Sequence, residues 1–471
     1  MTITLADGVV RPEDLLRQAQ ELLAQGRAHA AIGEFRRVIA LAPTLGIAEL
    51  GLAVACGQCG DDAAAERAAR KAIGKGYDNA GARYVLARSL FGQRRHDEAD
   101  AAFRHVLQLE PSHMPALAGL GESVWQRTGD ADLAATTIAT IAPIHPPELV
   151  LLLAKLARQA RGHAGELGML EQELERAPAS LALRLGAARA AMFCAPARAL
   201  DHALTAVRAA PRDKGAYALY GDALLANGRA ADAAAVAAQL LQVDGHDGHA
   251  LALQASAWRL SGDPRYRELY DYTRFVHAQP IDTPAGWADL PAYLRDLSRC
   301  LRGMHGARFH PLDQTLQGGS QIELYPEHAQ DPALRAFAQA IAGPIDRYLR
   351  MLGPGADALR RRNQGRWRCN GMWSVLLRAN GFHFNHFHGQ GWISSACYID
   401  LPESIGTGNG DGWIKFGEPV LPTTALGAEY FVKPEPGLLV LFPSWMWHGT
   451  VPFAGTAQAT RLTIAFDIVP A

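Results

Sequence analysis

Three of the chain's seventeen histidines fall within six positions, at His383, His386 and His388 in GFHFNHFHGQGW, residues 381 to 392. Imidazole is a common ligand for first-row metals, so this clustering raises metal binding before any other chemistry. In an extended segment, residues two apart share a face. His386 and His388 can therefore both point inward, whereas His383, an odd number of positions away, is expected to face outward on a regular strand. A later histidine, His448, follows the apolar run in GLLVLFPSWMWHGTVPF, and Arg461 opens RLTIAFDIV thirteen residues beyond it. On that last segment Arg461 and Thr463 share a face, while Leu462, Ile464 and Phe466 make the apolar opposite face. Three protein ligands on one side of a metal leave its other positions open to small molecules. A planar guanidinium nearby can hold a carboxylate through two parallel hydrogen bonds.

Such groups must be carried by a scaffold, and the chain divides by composition near residue 271. From residue 12 to about 271 it is rich in Ala, Leu and Arg and self-similar with a period near 34 residues. The clearest units are AGARYVLARSLFGQRRHDEADAAFRHVLQLEP and KGAYALYGDALLANGRAADAAAVAAQLLQ. Small residues at fixed places let two helices approach, and each pair buries its open face by stacking on a neighbour. These units resemble tetratricopeptide repeats, about seven in all with a closing helix around residues 250 to 260. Residues 1–270 are expected to form an α-solenoid whose groove takes a peptide or protein, or serves self-association as a homo-oligomer. Residues 271–471 are expected to form a second domain, with helices over 289–306 and 331–352 and a loop at HPLDQTLQGGSQ between them. After it the segments MWSVLLRA, WISSACYIDL, GWIKFG, GLLVLF and RLTIAFDIV read as strands broken by Gly and Pro. Many short strands without helices between them predict a double-stranded β-helix, or jelly roll, with flanking helices: an α + β two-domain protein.

Size and charge limit the alternatives. The 471 residues are 49% apolar with a formal net charge of -1, enough to bury sizeable cores and too neutral to favour nucleic acid as a general partner. The run RRRNQGRWR, with five arginines from Arg360 to Arg368, is the local exception; a solvated loop before a strand is favoured. No apolar run approaches the roughly 18 residues that span a bilayer, and the opening MTITLADGVVRPEDLL lacks a basic head and a long apolar body. No membrane partner and a cytoplasmic location are the expectations. Six scattered cysteines suit a reducing compartment, and the CxxC of Cys56 and Cys59 lies in an Ala-rich helical pattern with no strand before it.

Taken together, GMWSVLLRANGFHFNHFHGQGWISSACYIDLP, GWIKFGEP, PEPGLLVLFPSWMWHGTVPF and RLTIAFDIVP resemble the bacterial oxygenases dependent on 2-oxoglutarate and Fe(II) that carry N-terminal tetratricopeptide repeats. HPLDQTLQGGSQ is similar to that family's upstream segment, so the likeness covers roughly residues 271 to 471. The resemblance implies His386 and His448 as iron ligands, Arg461 as the holder of the cosubstrate carboxylate, and Tyr398 and Thr463 beside it. It implies Fe(II), 2-oxoglutarate and O2 as cofactor and cosubstrates, and hydroxylation of a side chain on a peptide or protein. The wider superfamily has His-x-Asp or His-x-Glu, whereas His388 stands at the third ligand position in this chain. His388 completes a three-histidine site, or the metal is held by two histidines, or the domain has lost its metal. A neutral imidazole in place of a carboxylate raises the charge at the metal by one unit.

Further candidates are weaker. His383 and Asn385 could orient the ligand rings, and His310, Gln314 and Gln321 could touch substrate or form turns. Trp373, Trp392, Trp413, Trp445 and Trp447 could line a pocket or fill the core. Two competing functions remain: a three-histidine dioxygenase that needs no 2-oxoglutarate, which leaves Arg461 without a task, and a non-catalytic adaptor whose second domain senses a ligand.

Overall fold

The computed structural model describes the chain except for residues 1–10, 143–144, 307–309, 313, 406–409, 422–424 and 457. Most of the opening segment read above for a leader lies outside the described residues. The chain forms two compact units, residues 1–149 and 150–471.

In the first unit, helices pair as the period predicts: α1 (Pro12–Ala24) with α2 (Ala28–Leu41), α3 (Gly46–Gln58) with α4 (Asp62–Gly74), α5 (Ala80–Gly92) with α6 (His96–Leu109), and α7 (Met114–Thr128) with α8 (Ala131–Ala139). The side chains of Asp61, Asn79, His113 and Asp130 cap α4, α5, α7 and α8 by accepting a hydrogen bond from the amide three residues on. Glycines allow the closest approaches. A Cβ on Gly51 would stand 2.2 Å from the Phe35 ring, and one on Gly119 would stand 2.4 Å from the Phe103 ring. Cys56 is buried on α3, and burial pushes its thiol up to about 11, the opposite of a reactive cysteine.

The second unit begins with the same motif. Helix α9 (Pro147–Arg176) is broken at Gly162, whose φ of 67° and ψ of -171° are open to glycine and strained for other residues. Next come α10 (Leu181–Ala191), α11 (Pro196–Ala209), α12 (Lys214–Ala226), α13 (Ala230–Val243) and α14 (Gly248–Ser261), the expected closing helix, then the short α15 (Tyr266–Leu269) and α16 (Tyr272–Phe275).

The strands follow: β1 (His277–Pro280), β2 (Leu316–Glu323), β3 (Trp367–His383), β4 (Ile393–Asp400), β5 (Ile414–Phe416), β6 (Tyr430–Val432), β7 (Leu438–Pro443), β8 (His448–Thr450) and β9 (Thr460–Pro470). Helix α17 (Leu290–Met304) precedes β2, and α18 (Pro332–Arg335) and α19 (Phe337–Leu352) precede β3. The strands make a six-stranded sheet in the order β1-β7-β4-β9-β3-β2 and a three-stranded sheet in the order β6-β5-β8. Among the described residues neither sheet closes on itself. The expected double-stranded β-helix is therefore corrected to two open sheets. Closure requires the end strands to pair, but β1 pairs with β7 and β2 with β3, leaving one side of each at an edge. The strands of the smaller sheet have three residues each, too few to wrap around the larger one. Helices cover the larger sheet instead: Leu297 and Leu301 of α17 and Phe337, Ile341 and Ile345 of α19 join Ile393, Cys397, Leu441 and Phe466 in one core. Each large side chain so buried contributes about 1.5–3 kcal/mol.

Part of the stretch read as a loop, HPLDQTLQGGSQ, is strand β2. Its paired glycines sit at a bulge between Gln317 and Gly319, where pairing with β3 outweighs the low strand propensity of glycine. The first three arginines of the run are tied down: Arg360 pairs with Asp357, Arg361 donates to the Gly245 carbonyl, and Arg362 donates to the Gly391 carbonyl at 3.4 Å, while Arg366 and Arg368 are exposed.

Helix α14 and the chain after it are bolted to the sheets. Arg259 donates to the carbonyls of Gly417 and Gly427, and Trp447 Nε1 donates to Ser256 Oγ at 2.9 Å. The buried Tyr270 hydroxyl donates to the Trp445 carbonyl at 2.9 Å and accepts from the Trp447 amide at 3.0 Å, bracing the turn that leads into His448. Among the described residues no helix is long and apolar enough to cross a membrane.

Candidate metal centre

Strand β3 ends at His383, so the next five residues are not a regular strand. His386 instead forms an isolated antiparallel bridge with His448: the His386 amide donates to the His448 carbonyl at 2.8 Å, and the His448 amide returns the bond at 2.9 Å. The His388 amide donates to the Ser444 carbonyl at 2.8 Å. Backbone pairing with the segment around β8 thus aligns the two upstream histidines with the downstream one. Each of the three offers a ligand atom, and these atoms lie within 4.8 Å of one another. The ring centroids are 4.3 Å apart for His386 and His448, 5.1 Å for His386 and His388, and 5.2 Å for His388 and His448.

The hydrogen bonds fix which nitrogens are free. Nδ1 of His386 lies 2.7 Å from the Phe384 carbonyl, and Nδ1 of His448 lies 2.9 Å from the Met446 carbonyl. Nδ1 of His388 lies 2.7 Å from both carboxylate oxygens of Asp467. Carbonyls and carboxylates accept only, so each Nδ1 carries the proton and each Nε2 keeps its lone pair for a metal. Burial, with the neighbouring His388, pushes His386 down to about 3, and burial with the other histidines holds His448 well below its ordinary value. Neutral rings are the ligating form. This donor set is capable of coordinating a metal ion, and imidazole nitrogen suits first-row metals including iron.

The carboxylate that the sequence did not reveal is Asp467. It lies behind His388, where it acts on a ligand ring rather than in the ligand set. The Ser394 hydroxyl donates to Asp467 Oδ1 at 2.6 Å and lies 2.9 Å from Ser444 Oγ, so the acid is buried but bonded. A signal for it was present: Asp467 is six residues from Arg461 and therefore on the same face of β9, an acid amid the apolar alternation of RLTIAFDIV.

His383 departs from expectation. Its ring centroid lies 5.8 Å from that of His386, and its Nδ1 lies 3.3 Å from Thr315 Oγ1, so it turns toward the cluster rather than away. Burial, followed by His386, Arg461 and His388, holds it well below the usual histidine range. Strand alternation fails as a guide because the segment after His383 is irregular.

Arg461 and Tyr398 are both buried on neighbouring strands, with the guanidinium carbon 5.0 Å from the tyrosine ring centre. The two side chains interact with each other, and among the described residues neither Arg461 Nε nor the Tyr398 hydroxyl has a well-formed hydrogen-bond partner. Among the described residues no carboxylate pairs with this arginine, and a buried cation without a counterion is costly. The arrangement fits an anionic ligand. Thr463 is also buried, but its hydroxyl donates to the Val375 carbonyl at 3.5 Å.

The remaining candidates separate. Asn385, His310, Gln314 and Trp447 line a cleft that reaches His386, whereas Gln321 lies on β2 paired with Val375. Trp392 and Trp445 are core residues, and the ring of Trp373 stands edge-on to His388. Helix α14 supports the HxH segment: a Cβ on Gly248 would stand 2.7 Å from the Gly389 carbonyl oxygen, and Phe387 packs edge-on against His249 and Trp447.

Comparison with known proteins agrees with both halves of this description. Residues 371–467 match the family described as "Putative 2OG-Fe(II) oxygenase", and residues 80–113, spanning α5 and α6, match the tetratricopeptide repeat. None of the curated proteins compared with the chain matches it. Similar solved structures include a tetratricopeptide repeat protein from Parabacteroides merdae, at 15% identity, covering 55% of this chain and 91% of that one with a TM-score of 0.36. A repeat protein from Thermus thermophilus is 22% identical, covering 39% of this chain and 100% of that one, with a TM-score of 0.30. Yeast Tom70 is 13% identical, covering 58% of this chain and 62% of that one, with a TM-score of 0.42.

Proposed function

We propose that this chain, which has an N-terminal tetratricopeptide-repeat region and a C-terminal domain of 2OG-Fe(II) oxygenase type, is a three-histidine non-haem metal oxygenase acting on a peptide or protein. The observation that carries this reading is the convergence of His386, His388 and His448 with every Nδ1 bonded to an acceptor. A bound Fe(II) would supply redox chemistry toward dioxygen. The chain's own contribution is orientation: two carbonyls and Asp467 hold the three rings in one tautomer, and Asp467 brings negative charge to the metal through His388. That charge partly replaces the carboxylate ligand of the wider superfamily.

A second reading, in which 2-oxoglutarate is the cosubstrate, is favoured by one observation: the buried Arg461 guanidinium beside Tyr398, with no carboxylate partner among the described residues. In it Arg461 binds the distal carboxylate, Tyr398 donates its hydroxyl to the same group, and Thr463 flanks them. Recruitment of the macromolecular substrate falls to the repeats.

Anaerobic titration with Co(II) as a spectroscopic stand-in for iron tests the first reading. Wild type is expected to bind one equivalent, and His388→Ala is expected to weaken it severely; an unchanged His388→Ala would reduce the site to two histidines. Failure of wild type to bind Co(II) or Fe(II) would leave the adaptor function standing. Oxygen uptake by the Fe(II) form, with and without 2-oxoglutarate, decides between the two oxygenase readings.

A further inference from the structure

A cleft of about 1020 Å³ lies inside the second unit, between helices α9 and α10 and the segment that follows β3. It is large for a small-molecule site, since such pockets run about 300–1,000 Å³. His386 lines it, so whatever occupies it approaches the candidate metal centre.

The break at Gly162 shapes the other wall. It restarts α9 in a new direction and places His163 and Glu166 against the cleft, with the His163 ring stacked on Phe193 at 4.2 Å. Among the described residues, three buried polar atoms on these walls have no hydrogen-bond partner: His163 Nδ1, Glu166 Oε2 and Gln314 Oε1. His163 Nδ1 and Glu166 Oε2 are 3.4 Å apart but not aligned for a hydrogen bond. Unmade bonds at buried groups are costly, and two of these atoms can only accept. They call for a ligand rich in N–H donors, which a peptide backbone is.

Charge narrows the class. Among the described residues, Arg158 and Arg189 line the cleft with one acid, Glu166, which lies 3.8 Å from Arg158. With Glu166 answered by Arg158, the Arg189 guanidinium favours an anionic occupant.

We propose that this cleft binds an extended acidic peptide and presents one of its side chains at His386. Gln314 and Glu166 accept backbone N–H groups, and Arg158 and Arg189 face the peptide's carboxylates. The fate of the presented side chain rests on the metal-oxygenase reading; binding in the cleft does not.

The test uses the full-length, metal-free protein and fluorescein-labelled peptides of equal length alternating Ala with Asp, Asn or Lys, read by anisotropy. The Asp peptide is expected to bind about tenfold or more tighter than the Asn peptide, and the Lys peptide weakest. Arg158→Glu with Arg189→Glu is expected to abolish that preference while Co(II) uptake stays at the wild-type level. Arg189 is exposed, so Arg189→Glu alone keeps the test sound should the double variant misfold, with about a threefold loss of preference expected. Equal binding of the three peptides, or an unchanged preference in Arg189→Glu, overturns the proposal. So does displacement of the Asp peptide by equimolar succinate, which would make the cleft a small-acid site. Wild type that prefers the Asp peptide but binds no Co(II) would sink the metal reading and leave the cleft assignment intact.

Discussion

Glycines that allow close packing occur in both units, but they serve different ends. In the first unit, Gly51 meets Phe35 and Gly119 meets Phe103. The two glycines are 68 residues apart (119 minus 51), as are the two phenylalanines (103 minus 35), which is twice the period of 34. The contact is part of the repeat and serves stacking alone. In the second unit Gly248, at the start of α14, meets the backbone of Gly389, the residue after His388. The same economy of side chain there presses a repeat helix against the candidate metal-binding segment. A repeat becomes functional by what its helix end touches, and nothing in its internal pattern announces this.

The largest test of that difference is at the metal centre. His448→Ala is expected to abolish Co(II) and Fe(II) uptake, because it removes one of three ligands, while thermal unfolding of the first unit stays at the wild-type temperature. Loss of both together would mean that site and repeats are not separable. Asp467→Asn comes next. It keeps the shape but removes the charge behind His388 and offers that ring an amide that can also donate; metal affinity is expected to fall about 10–100-fold by isothermal titration. An unchanged affinity would reduce Asp467 to a structural acid.

Arg461→Met separates binding from stability. It is expected to eliminate any 2-oxoglutarate-dependent stabilisation and to raise the melting temperature of the ligand-free protein, since it removes a buried cation that lacks a counterion, by about 1 kcal/mol or more. A destabilised variant would indicate that Arg461 is satisfied within the fold.

Acidity probes the same site without mutation. In the folded, metal-free protein His386 titrates near about 3, whereas in the unfolded chain it titrates at its ordinary value near 6.5. Between those limits the unfolded state binds a proton that the folded state refuses, so stability is present above about pH 6.5 and is lost as pH falls toward 3. His383 and His448, also held low by burial, act in the same direction. Differential scanning calorimetry should show the second unit's transition falling through this range ahead of the first unit's. Coincident falls would argue that these buried rings do not govern it.

Much of this was legible in sequence. The 34-residue period gave the paired helices, and the HxH and His448, which the fold brings together, each lie beside a strong apolar run. What escaped was pairing. Periodicity shows that GLLVLF and RLTIAFDIV are strands but not that their sheet stays open, because edge pairing depends on β1 and β2, two segments with weak strand signals of their own. His383 was assigned the wrong side for a related reason: alternation holds on a strand, and β3 ends at that residue. Asp467 was visible in type and in face, yet its partner is 79 residues away, a distance that no local pattern spans.

The smallest expected effect sharpens the opening comparison most. Gly119→Ala and Gly248→Ala each add one methyl at a crowded contact, and overpacking of this kind costs about 1–3 kcal/mol. At Gly119 the obstacle is the Phe103 ring, which belongs to a neighbouring helix of the same unit; the expected result is a lower first transition and an unaltered metal affinity. At Gly248 the obstacle is backbone, the Gly389 carbonyl, which cannot rotate away as a side chain can. The strain must pass either into α14, capped by Asp247 through the Ala250 amide, or into the chain beside His388, whose amide is bonded to Ser444. The capped helix has a turn of hydrogen bonds to hold it and the irregular segment does not, so the segment yields. Metal affinity is expected to drop severalfold in Gly248→Ala at equal cost in stability. Equal metal affinities in the two variants would show that α14 supports the fold of the second unit without tuning its site.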